Sequence, residues 1–201
     1  MPTITRTTHP LPFEHLDPKR FEDLVRQLSY DFRAWQQLEA TGRSGSDDGY
    51  DVRGWEIIGD QVTSVEEDES DDRSEEAPIV GEVRRWLIRC KREKEIGPTK
   101  MGKYFDGIPA EERHDLYGVI FAAAADFSKK TRDVLRERCR SVGIAECHIW
   151  GKAEIEDMLY QPKNDGLLFA YFGISLAIRR RSVRTELRSR LRRCHLNLRP
   201  G

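Results

Sequence analysis

A chain of 201 residues with 34% charged and 38% hydrophobic side chains is the size of one ordinary domain with a core of its own and polar extensions. No apolar run approaches the ~20 residues that cross a bilayer, and "MPTITRTTHPLPFEHL" has no apolar signal core, so no membrane association and a cytoplasmic location are expected. The formal net charge of -1 excludes little, because it averages "EEDESDDRSEE" (66–76, eight acids, one arginine) with "RRRSVRTELRSRLRR" (179–193, eight arginines, one glutamate); a polyanionic partner remains compatible with it.

In chain order, Asp17-Pro18 reads as a helix start. From there Phe21, Leu24, Val25, Leu28, Phe32 and Trp35 recur at three- and four-residue steps, an apolar helix face that Gly42 is expected to end. "GRSGSDDGYDVRG" (42–54) is glycine-rich turn chemistry leading into the strand "YDVRGWEII", with "DQVTSV" as its expected hairpin partner across Gly59-Asp60. Residues 64–78 hold too little apolar surface to offset ordering entropy and read as a mobile acidic loop. "VRRWLIRCKR" reads as a half-buried strand, because Trp86, Ile88 and Cys90 alternate with Leu87, Arg89 and Lys91. "GPTKMGKYFDGI" is expected to be a short helix after Pro98. "LYGVIFAAAA" suits a strand covered on both faces.

Ser128 then caps a helix ending at Gly143, "IAECHIW" is a strand, and "KAEIEDML" a helix. "NDGLLFAYFGISLAIRRR" and the basic segment beyond it read as helical to the end. Strand, helix, strand, helix from Leu116 to Leu159 argues for parallel pairing, and the upstream strands for antiparallel pairing. The expected fold class is therefore α/β (α+β), a mixed sheet flanked by helices with a C-terminal basic helix. Cys90, Cys139, Cys147 and Cys194 form no CxxC pair and read as reduced thiols. The five histidines are scattered, which argues against zinc.

The chemistry-bearing stretch is "WLIRCKRE" (86–93). Arg89 and Lys91, at i and i+2 of one strand, emerge on the same side. Two cations that close call for something negative opposite them, a carboxylate of the protein or a phosphate. Asp51 begins a strand expected to neighbour theirs, and Glu22 projects from the first helix beside Phe21. Each residue also has an ordinary reading. Asp47, Asp48 and Asp51 are common turn formers, and Lys91 can blunt a strand end. Glu22 can pair with Arg26 at i+4, and Arg89 can be a solvated flank.

"FEDLVRQL", "GRSGSDDGYDVRG", "IRCKRE", "YGVIFAAAADFSKKTRDVLRERC" and "GIAECHIWGKAEIEDML" occur in an order that resembles the Mrr-type branch of the PD-(D/E)xK nucleases, over roughly residues 13–160. The resemblance implies a restriction-endonuclease-like domain over 1–178, with 179–201 as a basic helical tail or linker. It also implies an activity: Mg²⁺- or Mn²⁺-dependent endonucleolytic hydrolysis of duplex DNA, of restriction or antiviral-defence type. On that likeness Asp51 and Glu22 would hold the metal, with the Cys90 carbonyl completing its coordination, and Lys91 would orient the attacking water. Arg92, Arg180, Arg184 and Arg188 are the expected DNA contacts. A homodimer, a sensor domain or a regulatory partner are the further partners it implies.

The chain departs from the family pattern at Arg89, where the pattern carries Glu or Gln. A guanidinium has only donors and cannot ligate a cation. Three readings stay open. Arg89 can turn onto substrate phosphate while Glu22 or Asp48 supplies the oxygen, it can pair with Asp51 and block the metal, or it can mark an inactivated form of a Gln-bearing parent. The alternative function is then a catalytically impaired relative acting as a DNA-binding or assembly module. The tail and "LLFAYFGISL" (167–176) likewise admit plain readings, an exposed or linker helix and core packing, beside DNA contact and an interface.

Overall fold

The computed structural model describes residues 11–41, 52–59 and 82–176. Within them five strands form one sheet in sequence order: β1 (Trp35–Ala40), β2 (Val52–Ile58), β3 (Glu82–Lys91), β4 (Leu116–Ala123) and β5 (Glu146–Trp150). β1, β2 and β3 pair antiparallel, whereas β3, β4 and β5 pair parallel. This is the mixed α/β sheet expected, and its direction changes at the central strand β3.

Six helices among the described residues flank it: α1 (Pro18–Ser29), α2 (Pro98–Asp106), α3 (Ala110–His114), α4 (Lys129–Ser141), α5 (Lys152–Leu159) and α6 (Asp165–Phe172). Proline in the first turn starts α1 and α2, where its missing N–H costs nothing. Ser128 caps α4 by accepting from the Thr131 N–H at 3.2 Å, as its sequence position predicts.

Two apolar layers enclose the sheet. On one side Phe21, Leu24 and Leu28 of α1 pack with Ile155 of α5 and Leu168 of α6 against Trp86, Ile88 and Cys90. On the other, Met101 and Phe105 of α2 and Leu135 of α4 pack against Leu87, Val119 and Phe121. β3 is therefore covered on both faces, and Trp86 through Cys90 are all buried. That corrects the half-buried reading. The period of two separates two kinds of covered surface, because parallel pairing with β4 places helices on both sides.

Three more expectations need correction. The first helix ends at Ser29, and Trp35 opens β1 instead of extending the helix to Gly42. The apolar spacing survives the break because Phe32 and Trp35 still reach the same cluster. Phe32 meets Trp150 edge-on at 5.2 Å, and the Trp35 indole N–H donates to the Ser29 carbonyl at 2.7 Å. β2 pairs with β1 and β3, while the proposed partner segment 60–65 lies outside the described residues. α6 stops at Phe172, where Gly173 takes a left-handed φ of 69° that suits a residue without a Cβ. The chain is not helical over 173–176, and the basic segment beyond lies outside the described residues. Core packing accounts for much of "LLFAYFGISL": Leu168 is buried and Phe172 meets Phe13 edge-on at 5.4 Å, although Phe169 is exposed.

Candidate active site at the carboxyl end of the central strand

Where adjacent parallel strands end, their carboxyl edges leave a crevice that open α/β sheets commonly use for ligands. Here a cleft of about 240 Å³ opens at the end of β3. α1 lends it Phe21 and Glu22, and the chain leaving β3 lends Cys90, Lys91, Arg92 and Glu93. Phe21 is buried in the core, so it anchors the helix turn that presents Glu22 to the cleft.

Arg89 and Lys91 do share a side. The Tyr104 ring of α2 lies under both cations, 5.4 Å from the Arg89 guanidinium carbon and 5.6 Å from the Lys91 Nζ. Arg89 is buried, and its Nη1 donates to the Tyr104 carbonyl at 2.5 Å. That carbonyl belongs to the last turn of α2, the negative end of its dipole. A helix terminus and an aromatic face thus meet the buried guanidinium.

Glu93, two residues past Lys91, joins the arrangement through α2. Its carboxylate accepts from the Lys100 ammonium and from the Tyr104 hydroxyl. Burial pushes the Glu93 carboxyl up, but those two hydrogen bonds and the charges of Lys100 and Lys91 outweigh it, holding the group below its ordinary range. Burial, then the bond to Glu93, pushes the Tyr104 phenol up. At neutral pH the cleft therefore presents an ionised Glu93 near Lys91, and Glu93 accepts from the neutral Tyr104 phenol of α2.

Of the anticipated site residues, Glu22, Cys90, Lys91 and Arg92 line the cleft, and Arg89 lies against α2. Arg92 also donates from Nη1 to the Glu14 carbonyl at 2.7 Å, tying the strand exit to the N-terminal turn Phe13–His15. Asp47, Asp48, Asp51, Arg180, Arg184 and Arg188 lie outside the described residues. Val52, which follows Asp51, pairs with Ile88. Among the described residues, no group of three or more His, Cys, Asp or Glu side chains could hold a metal ion. Glu93, Lys100 and Tyr104 were not anticipated. The available signal was Lys100 and Tyr104 at i and i+4 on one helix face, two donors that a single carboxylate can accept from.

The other end of β3 carries a different cluster. The Trp86 indole N–H donates to Glu56 at 2.8 Å, His148 stacks on Trp86 at 5.8 Å, and Arg33 pairs with Glu146. These contacts join β2, β3 and β5 to the α1–β1 turn, and their work is to hold the sheet.

No family model matches the chain, and no curated protein matches it. Among solved structures it is similar to the MspJI restriction endonuclease in complex with a 27-mer oligonucleotide, with 13% sequence identity and a TM-score of 0.45. The match covers 80% of this chain and 34% of that one, so the chain spans about a third of that endonuclease's length.

Proposed function

We propose that the chain is a nuclease domain that hydrolyses phosphodiester bonds of duplex DNA with a divalent metal, in restriction or phage defence. The observation that carries this reading is that Glu22 of α1 and Lys91 of β3 line one cleft at the carboxyl end of the central strand. A carboxylate and an ammonium from separate elements are the pair that phosphoryl transfer needs, one for a cation and one for developing charge.

Glu22 and Cys90 line the cleft, and the oxygens they carry, a carboxylate and a backbone carbonyl, suit Mg²⁺ or Mn²⁺ in kind. Glu22, Cys90 through its carbonyl, and Asp51, the residue that precedes β2 in the sequence, would hold the ion. Bound there, the ion would polarise a phosphoryl oxygen and acidify a coordinated water. Lys91 would donate to a non-bridging phosphate oxygen, and Tyr104 and Glu93 would keep its ammonium in place. Arg89 is buried on the α2 carbonyl, which supports a role in fixing α2 under Lys91 and not a role in gripping substrate.

A second reading is favoured by the same guanidinium. A permanent cation at the position of the expected Glu or Gln weakens cation binding, which fits a DNA-binding or assembly module with impaired cleavage. The two readings separate on supercoiled plasmid incubated with Mg²⁺, Mn²⁺ or EDTA, using the chain and its Asp51→Ala, Lys91→Ala and Arg89→Gln variants. Metal-dependent nicking, lost by a factor of at least about 10² in Asp51→Ala and Lys91→Ala, is the expected result. Nicking only in Arg89→Gln would support the impaired module. DNA retention without nicking in any variant would overturn the enzyme reading.

A further inference from the structure

On the far side of α4 a second cleft, of about 260 Å³, is lined by Arg136, Cys139, Arg140, Ile144, Ala145 and Cys147. Cys139 lies on the inner face of α4 and is buried, whereas Cys147 on β5 is half-buried at the cleft. The turn joining their elements is tight. Gly143 takes a φ of 82°, and the Ile144 N–H returns to the Cys139 carbonyl at 3.0 Å, which folds β5 back against the last turn of α4. Both side chains line this one cleft and belong to the same apolar layer under α4.

We propose that Cys139 and Cys147 form an oxidisable dithiol, a reversible disulfide site that peroxide can close. The roles are unequal. The neighbouring Cys147 thiol, then burial, pushes the Cys139 thiol well up. The neighbouring Cys139 thiol, opposed by burial and aided by the Arg136 guanidinium, holds Cys147 below its ordinary range. Arg136 also pairs with Asp133 at 3.5 Å, which keeps it on that face of α4. Cys147 is thus the more nucleophilic sulfur, the more exposed one, and the one that faces cationic side chains, the setting that makes a cysteine reactive.

The chemistry balances with hydrogen peroxide as oxidant. The Cys147 thiolate attacks one peroxide oxygen, the O–O bond breaks, and the departing hydroxide takes a proton to leave as water, giving a sulfenic acid. Cys139 then loses its proton and attacks the sulfenyl sulfur. The S–S bond forms, and the sulfenyl oxygen leaves as a second water. Two thiols lose two electrons, and one peroxide is reduced to two waters. Thiols such as glutathione reverse the bond by exchange through the exposed Cys147. Cys90 lies on the opposite face of the sheet, in the layer built by α1, and serves as an internal reference.

The test uses the full chain with stoichiometric hydrogen peroxide, followed by alkylation and peptide mapping under non-reducing conditions. The expected product links the peptides of Cys139 and Cys147, with two thiols lost, and dithiothreitol restores both. Cys139→Ser should stop at a sulfenic acid on Cys147 that dimedone traps. Arg136→Gln should slow closure several-fold while the circular dichroism spectrum stays the same. Oxidation of Cys147 no faster than that of Cys90, or linkage of either cysteine to Cys194 in place of its neighbour, would overturn the proposal. Because no step uses the cleft at β3, failure here leaves the nuclease reading standing, and loss of nicking leaves the dithiol standing.

Discussion

Glu93 acts through three neighbours: Lys100 and Tyr104 donate to its carboxylate, and Lys91 adds positive charge nearby. These partners favour the ionised form in the folded state, so its folded pKa lies below the ordinary 4.5. The sign follows from linkage: stability from this carboxylate is fully present above about pH 4.5 and disappears as pH falls through the lower folded value. Urea midpoints should therefore fall between about pH 5 and about pH 3, and Glu93→Gln should flatten part of that fall. Glu146, also held low against its burial by His148 and Arg33, supplies a background slope that the variant keeps. An unchanged slope in Glu93→Gln would show that the contacts with Lys100 and Tyr104 add nothing. At this scale Glu22 and Lys91 were legible, since each stands at a recognisable place on a helix or strand. Glu93 and Tyr104 were not, because their meeting depends on how α2 docks beneath β3, a contact that no spacing along the chain encodes.

Between elements, the closest fit in the sheet is made by glycine. Trp86 pairs with Gly54 on β2 and with Gly118 on β4. A Cβ at Gly118 would collide with the Trp86 ring, and one at Gly54 would come 2.6 Å from the Trp35 ring. Trp86 is fully buried, among Phe32, Trp35 and His148, so it has no direction in which to yield. Gly118→Ala should cost about 1–3 kcal/mol, read as a lowered denaturation midpoint with unchanged slope. At Gly166, on α6, an added methyl group would meet nothing within 4 Å, and Gly166→Ala should be neutral or stabilising by up to about 1 kcal/mol. Equal losses at both sites would disprove the steric account. The strands β2 to β5 and the helices α1, α2, α4 and α5 could be placed from period, caps and glycines. β1 could not, because Phe32 and Trp35 keep helical spacing while serving a turn and a strand in the same apolar layer. Parallel coverage of β3 was hidden for a related reason: Arg89 looks like a solvent residue until the carbonyl end of α2 receives it.

For the whole molecule, the two charged blocks cancel in the net charge of -1, a sum that carries no information on what each block contacts. If the cleft at β3 handles DNA as proposed, sequence-independent attraction must come from cations elsewhere, because the cleft contributes Lys91 and Arg92 among anionic neighbours Glu22 and Glu93. The block at 179–193, with eight arginines and one glutamate, is the largest reserve of positive charge in the chain. Each arginine that touches a phosphate releases a counterion and steepens the dependence of log K on log salt by about 0.9. Arg180, Arg184 and Arg188 together replaced by Gln should therefore make that slope shallower by up to about 2.7 and weaken binding at low salt, irrespective of DNA sequence. Lys91→Ala should alter the same slope by about one unit or less while abolishing nicking. Fluorescence anisotropy on a labelled duplex across a salt series reads both effects, and EDTA keeps the substrate intact during the measurement. A triple variant with the slope of the parent would remove the basic block from the DNA contact and leave it to a protein partner, with attraction to DNA supplied by the domain that carries the cleft.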